Sequence, residues 1–417
     1  MNTFKFYGMI LMAVWILSCK DPTATKEAVS PVDMEESKTE LVERVFAFSE
    51  KQYDSLIHRI DHHTPLLQPR GITEEGDLRL KPFADWTSGF FPGSLWYLYH
   101  HTGTEKRKAM AMAFTKALDS VQYITNSHDV GFMLGCSYGN GYLFTQNEAY
   151  KEVLVQGATS LMTRYRPAVK ALQSWDTTPD MGWISERGWD TPVIVDNMMN
   201  LDLLYQAFRF TQDSTFYKVA TQHARTTLNN HFRKDYSSYH VVDYEGETGK
   251  VRSKETAQGY AHASSWARGQ AWGLYGFTQT YENTGLLEFL EQAKAIAKYI
   301  MGNPKIPADL IPYWDYDAPN IPNEPRDASS AAITASALLS LQEYVPDQKE
   351  AMIAYAETIL RQLASPNYLA DYGSNQGFLL KHSVGNIHTG EENDKPLNYA
   401  DYYFLEALTK WEKLATE

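Results

Sequence analysis

Apolar residues recur at helical spacing along most of the chain, and the helical runs come in pairs joined by short polar turns. The stretch Phe144-Thr145-Gln146-Asn147-Glu148-Ala149-Tyr150-Lys151 lines up with Phe210-Thr211-Gln212-Asp213-Ser214-Thr215-Phe216-Tyr217, give or take one residue. Related joints stand at Tyr99–Gly103, Tyr281–Gly285 and Tyr344–Asp347. The aromatic anchors at 99, 144, 210, 281 and 344 are 45, 66, 71 and 63 residues apart, so long loops fall between the pairs. Five joints predict ten helices, at about 88–101 with 104–126, 133–144 with 147–162, 192–210 with 213–232, 265–283 with 286–301, and 328–343 with 348–363. A first helix near 36–60, with Leu41, Val45, Phe48, Tyr53 and Leu56 on one face, pairs with a last helix near 399–413. One short β-hairpin is expected at 241–252. Six hairpins bury every apolar face by closing into a ring, an all-α (α/α)6 toroid spanning 36–417. An open solenoid would need polar capping repeats, whereas the terminal helices here are apolar.

This topology places the short joints at one end and the long loops at the other, where they lead into inner helices. In one such loop the run WDTPVIVDNMMNL (189–201) sets Asp196 among Ile194, Val195, Met198 and Met199. Asp190 and Thr191 read as N-cap signals before Pro192 at a first helical position, which puts Asp196 in the opening turns of a buried helix. An ionised carboxylate there is costly unless it is paired or protonated. The same end gathers Asp85-Trp86 and Phe90, His128-Asp129, His240, Gln258, Trp266-Ala267-Arg268 with Trp272, Arg326-Asp327, and Asn398 to Tyr403. Helix N-termini converging on one mouth favour an anion, and Arg268 adds a charge suited to a carboxylate.

Each of these residues has a plainer reading. Asp85 and Asp327 suit helix N-caps, Trp86, Trp266 and Trp272 suit a core, and His240 sits in a polar loop where a solvated histidine is the default. His62-His63 and His100-His101 are adjacent pairs whose side chains do not face together on a helix, so no metal site is expected. Neither a nucleophile elbow nor a phosphate loop is present, and no cofactor is expected. Two carboxylates, an arginine and several aromatics at one mouth point to acid–base work on a carbohydrate.

Composition refines this picture. The 27 Tyr and 10 Trp exceed what a core requires and suit a groove that stacks on sugar rings. A formal net charge of −13 argues against nucleic acid as a partner. Residues 1–19 read as an export signal: Lys5 supplies the positive start, the apolar run is short, and Ile-Leu-Ser-Cys resembles a bacterial lipobox. Cys19 is then the expected lipid anchor of an exported lipoprotein, held in the periplasm or at the outer membrane, and 20–35 a flexible tether. Cys136 is the one other cysteine, so no internal disulfide is expected in the folded domain.

Five motifs, in order, resemble the unsaturated glucuronyl hydrolases, glycoside hydrolase family 88: WTSGFFPGSLWYLY (86–99), HDVGFML (128–134), VIVDNMMNLDLLY (193–205), TAQGYAHASSWARGQAWGLYGF (256–277) and DYYFLEAL (401–408). The resemblance implies an (α/α)6 barrel acting on oligosaccharides that end in a 4,5-unsaturated uronic acid, the products of polysaccharide lyases. By motif, Asp196 matches the general acid/base that hydrates the double bond, and Asp129 the second essential carboxylate. Trp86, Phe90, Trp266 and Trp272 match ring-contacting aromatics, and His240, Gln258 and Arg268 polar contacts, with Arg268 first choice for the uronate. Ala257 departs from a histidine found in some members. The segment 381–396 is where sulfate discrimination is expected. Rival readings are a rhamnogalacturonyl hydrolase of the same chemistry, a non-catalytic sugar-binding lipoprotein, and a conventional inverting glycosidase.

Overall fold

The computed structural model describes, beyond Met1, residues 36–60, 66–179 and 181–414. The expected signal and tether (1–35) and the His62-His63 pair lie outside the described residues. The six expected hairpins are present. The helices are α1 (Lys38–Arg59), α2 (Phe90–Thr102), α3 (Glu105–Lys116), α4 (Val130–Leu134), α5 (Asn140–Thr145), α6 (Glu148–Met162), α7 (Trp183–Glu186), α8 (Leu201–Thr211), α9 (Ser214–Asn230), α10 (Ala267–Thr284), α11 (Leu287–Met301), α12 (Ala328–Leu341), α13 (Lys349–Leu363) and α14 (Asn398–Lys413). Helices α4 and α5 are joined through a π-helical turn, Gly135–Gly139, into one inner rod.

The inner ring runs α2, α4–α5, α8, α10, α12 and α14, and it closes because α14 packs on both α12 and α2. Composition decides which helices go inside. In α12, ASSAAITASALLSL, small side chains let the rod fit tightly between α10 and α14, and every residue but Ser340 is buried. The outer helices are amphipathic: α1 turns Leu41, Val45, Tyr53 and Leu56 inward and leaves charged residues in water.

The short joints share one device. Gly103, Gln146, Gln212 and Gly285 each end an inner helix in the left-handed region, with φ of 65°, 55°, 61° and 67°. Their amides bond the carbonyls of Tyr99, Tyr142, Phe208 and Tyr281 at 2.7–2.8 Å. Asn147 and Asp213 then cap α6 and α9 by accepting from the amides of Ala149 and Thr215. This is the physical content of the repeat seen in the sequence. The fifth joint differs: Gln342–Tyr344 and Pro346–Gln348 form two 3-10 turns instead.

One expected element is corrected. Residues 191–194 are a strand, not the start of a helix. The strands are β1 (Gln68–Ile72), β2 (Leu78–Lys81), β3 (Tyr165–Arg166), β4 (Ala171–Leu172), β5 (Thr191–Ile194), β6 (Val241–Tyr244) and β7 (Val251–Glu255). The expected hairpin at 241–252 is β6–β7, and β5 joins its free edge, Ile194 opposite Val241. Pro192 is tolerated because β5 is an edge strand, and Val193 and Ile194 favour extended backbone. Asp190 is not an N-cap: its carboxylate accepts from the Gly246 amide, while Asp243 accepts from the amides of Asp190 and Thr191.

Because left-handed backbone costs a non-glycine residue roughly 1–2 kcal/mol, Gly103→Ala and Gly285→Ala should each destabilise the protein by about 1 kcal/mol in urea titrations. Gln146→Ala and Gln212→Ala, where that strain is already in place, should change stability much less.

Candidate active site

The β5–β6 ladder delivers the central carboxylate. Its last rung is the Val195 amide on the His240 carbonyl, at 3.0 Å. The next residue, Asp196, enters the 3-10 turn Val195–Asn200 that leads into α8. The register sets His240 directly beside it, with Nε2 at 3.5 Å from Asp196 Oδ2. Asp196 is 8% exposed, and burial pushes its carboxyl up to about 7, against the opposing pull of the Arg268 charge. The Trp272 indole N–H is turned to the same carboxylate and favours its charged form without completing a hydrogen bond.

Asp129 arrives from the loop before α4. Its position is fixed by Gly131, where an added Cβ would lie 2.5 Å from Asn200 Cα. Asn200 Oδ1 accepts the Phe132 amide at 2.7 Å, and its amide group favours the charged form of Asp129. The loop of Asp129 and the turn of Asp196 are thus clamped together. Burial raises the Asp129 carboxyl to about 7, and a charge on Asp129 disfavours ionisation of Asp196. His128 Nε2 lies 3.2 Å from Asp129 Oδ1.

Both carboxyls open on a cleft of about 340 Å3 walled by Trp86, Phe132, Trp175, Gln258 and Arg268. The other expected residues stand behind that wall. Phe90 is fully buried among Trp86, Phe132 and Tyr399. Trp272 is fully buried against Phe132, and Trp266 lies under His240 at 4.5 Å. His240 is buried, not solvated, because it leads the central strand of the sheet, and the amides of Ala257 and Gln258 both donate to its Nδ1. Arg268 is not a free fork. It pairs with Asp327 at 3.4 Å, donates to the carbonyls of Val384 and Gly385, and lies on the Trp266 ring at 4.5 Å. Asp327 also caps α12 by accepting from the Ser329 amide, as expected. Asp85 accepts from Thr87 in a turn before α2 and binds Arg70 at 2.9 Å.

Part of the wall has no counterpart among the expected residues. Trp175 and Trp183 come from a tryptophan-rich loop, and Trp183 is 49% exposed at the cleft. Arg70 and Arg79, on the β1–β2 ribbon, bind Glu392 and Glu391 of the segment 381–396. That segment therefore does reach the cleft, where Gly385, Asn386 and Thr389 also line it. His128 stood inside the HDVGFML motif, and the Trp175–Trp189 loop was legible as aromatic. The arginines carried no local signal. Among the described residues there is no group of side chains that could hold a metal ion.

A closed all-α toroid with two buried carboxyls facing one aromatic-walled cleft at its loop end is an architecture suited to glycoside hydrolysis. The sequence profile of Glycosyl Hydrolase Family 88 matches residues 56–364. The unsaturated glucuronyl hydrolase of Formosa agariphila is 42% identical over 371 residues, covering 87% of this chain and 90% of that protein. The enzyme of the same name from Bacillus sp. strain GL1 is 32% identical over 339 residues, covering 80% and 87%. A crystal structure of an unsaturated glucuronyl hydrolase specific for heparin matches with a TM-score of 0.84 at 46% identity, over 90% of this chain and 98% of that one. The protein belongs to glycoside hydrolase family 88 and is an enzyme, as its five motifs implied.

A carboxyl whose folded-state pKa is raised stabilises the protein only where it is protonated. The wild type should therefore lose stability as pH rises from the ordinary carboxylate range to about 7, the value that burial gives Asp196. Asp196→Asn does not titrate, so its melting temperature should climb relative to wild type across that window and hold its lead above it. Parallel curves would refute the buried carboxyl.

Proposed function

We propose that the protein removes a 4,5-unsaturated uronic acid from the non-reducing end of oligosaccharides left by polysaccharide lyases. The supporting observation is the pair of buried carboxyls, each pushed up to about 7, on one cleft. A proton donor working near neutral pH needs that elevation.

Asp196 in its acid form gives its proton to C4 of the vinyl ether, which leaves positive charge shared by C5 and the ring oxygen. The resulting carboxylate takes a proton from water as the water oxygen bonds to C5. The C5–ring-oxygen bond of this hemiketal then breaks to a ketone, and C1 expels the aglycone as an alcohol. Asp129 orients the sugar, and burial holds the proton on Asp196 up to about pH 7. Neutral His240 directs its Nε2–H to the Asp196 carboxylate once the proton has left. Trp86, Trp175 and Phe132 supply apolar faces for the rings. Arg268, with its Nη atoms engaged, acts on the uronate mainly through its charge. Phe90, Trp266 and Trp272 hold the wall in place from behind.

Loss of the ultraviolet absorbance of the conjugated enol ether measures the reaction directly. Unsaturated disaccharides from chondroitin, hyaluronan, heparin, gellan and ulvan digests, with rhamnogalacturonan products alongside, form the test panel. Asp196→Asn should fold and lose activity by roughly 10^2–10^4-fold, the range for removing a positioned acid–base group. Turnover near wild type in this variant would refute the assignment. In the wild type kcat/KM should fall as pH rises through about 7, as Asp196 loses its proton. Asp129→Asn alters the group that orients the sugar and should slow the reaction.

We also propose export as a lipoprotein anchored through Cys19, on the signal pattern of residues 1–19. Wild-type protein should take up labelled fatty acid and partition into detergent, and Cys19→Ser should do neither.

A further inference from the structure

The two carboxyls sit beside histidines whose hydrogen bonds force opposite tautomers. His128 Nδ1 lies 2.6 Å from the Ser174 carbonyl oxygen, which can only accept, so Nδ1 carries the hydrogen. Neutral His128 therefore presents a bare Nε2 lone pair, 3.2 Å from Asp129 Oδ1 and with no other hydrogen-bond partner. His240 is the reverse. Its Nδ1 receives the amides of Ala257 and Gln258 at 3.1 and 3.2 Å, so it must be the acceptor and Nε2 carries the hydrogen. That N–H faces Asp196 Oδ2, itself buried and otherwise unpartnered.

A bare lone pair beside a carboxyl favours its acid form, and an N–H beside one favours its ionised form. We propose that His128 and His240 are positioning residues that sort the protons of the pair: Asp129 is the member that keeps its proton, and Asp196 is the member that ionises first. The inference rests on the reading of this pair as the acid–base machinery.

The surrounding charges pull both ways, so the histidine tautomers carry the distinction. Asp196 faces Arg268 from α10, which favours its carboxylate, with Asp129 opposing. Asp129 faces Asp85 from the loop before α2, which disfavours its charge, and Arg164 from the end of α6, which favours it. Arg164 also faces His128, while Arg268, Arg187, His231 and His128 face His240, and burial with the arginine charges keeps both rings neutral. In turnover, Asp129 stays an acid with its proton toward His128 and offers its other oxygen to a sugar hydroxyl. Asp196 alone cycles between acid and base. One proton leaves it for C4 and one returns from water, so the two carboxyls never trade roles.

Two measurements test this without relying on activity. Carbonyl stretches of protonated carboxyls, followed by infrared spectroscopy against pH, are assigned by the bands that Asp129→Asn and Asp196→Asn each remove. Asp401 and Glu282, also raised to about 7, remain in every spectrum as background. The Asp196 band should disappear at lower pH than the Asp129 band. His240→Phe should raise the Asp196 midpoint, and His128→Phe should lower the Asp129 midpoint, each by on the order of one pH unit. The reversed order, or midpoints that ignore both histidine variants, overturns the proposal. Should a variant fail to fold, nitrogen NMR of histidine-labelled wild type decides. The His128 ring must carry its hydrogen on Nδ1 and the His240 ring on Nε2, and a common tautomer overturns the proposal. Loss of substrate turnover with the predicted titration order intact would instead count against the proposed reaction alone.

Discussion

The hydrogen bond from the Val195 amide to the His240 carbonyl ends a sheet and sets the position of the buried carboxyl beside it. Up to that rung the backbone is extended and its side chains alternate between sheet faces. Beyond it the chain turns into α8. The crossing point fixes which residue of the run 191–200 meets the cleft, and it is Asp196. The same rung brings His240 beside that carboxylate and buries its ring, which two neighbouring amides then hold as a proton donor. A shift of one residue in this register would turn Val195 or Asn197 to the cleft and leave Asp196 as a buried charge without a use.

The toroid makes such a carboxyl tolerable. Ile194, Val195, Met198 and Met199 are buried around it, so water cannot pay the full cost of its charge. The carboxyl responds by holding its proton up to about pH 7. Asp129, clamped to the same turn through Gly131 and Asn200, suffers the same desolvation. Chemical readiness and local instability share this cause, as expected where a site is built against the preferences of its solvent.

The cleft is electrically closed before any substrate arrives. Arg70 holds Asp85 and Glu392, Arg79 holds Glu391 and Glu392, and Arg268 holds Asp327. These pairs tie the β1–β2 ribbon and the segment 381–396 across the mouth. An anion entering the cleft would meet positive charge already shared with carboxylates, which moderates its attraction in a protein of net charge −13.

Local chemistry carried much of this into the sequence. The hairpin count was legible because caps such as Asn147 and Asp213 and turns such as Gly103 and Gly285 act within a few residues of themselves. Asp196 announced itself as a charge among apolar neighbours, and the five motifs marked the family. Other features were settled by partners far along the chain. The stretch 191–194 became a strand because β6, about fifty residues on, offered a free edge that outweighed the local N-cap signal. His240 became a buried donor because β5 and the Ala257–Gln258 amides enclosed it. Arg268 lost its freedom to Asp327 and the carbonyls at 384 and 385, and Arg70 joined the rim through Glu392, 322 residues away. By itself the sequence determined periodicity, caps and the cost of a misplaced charge, because those are properties of neighbours. Only the closed ring could decide which charges would be paired and which left to work, because pairing depends on what the fold brings within a few ångströms.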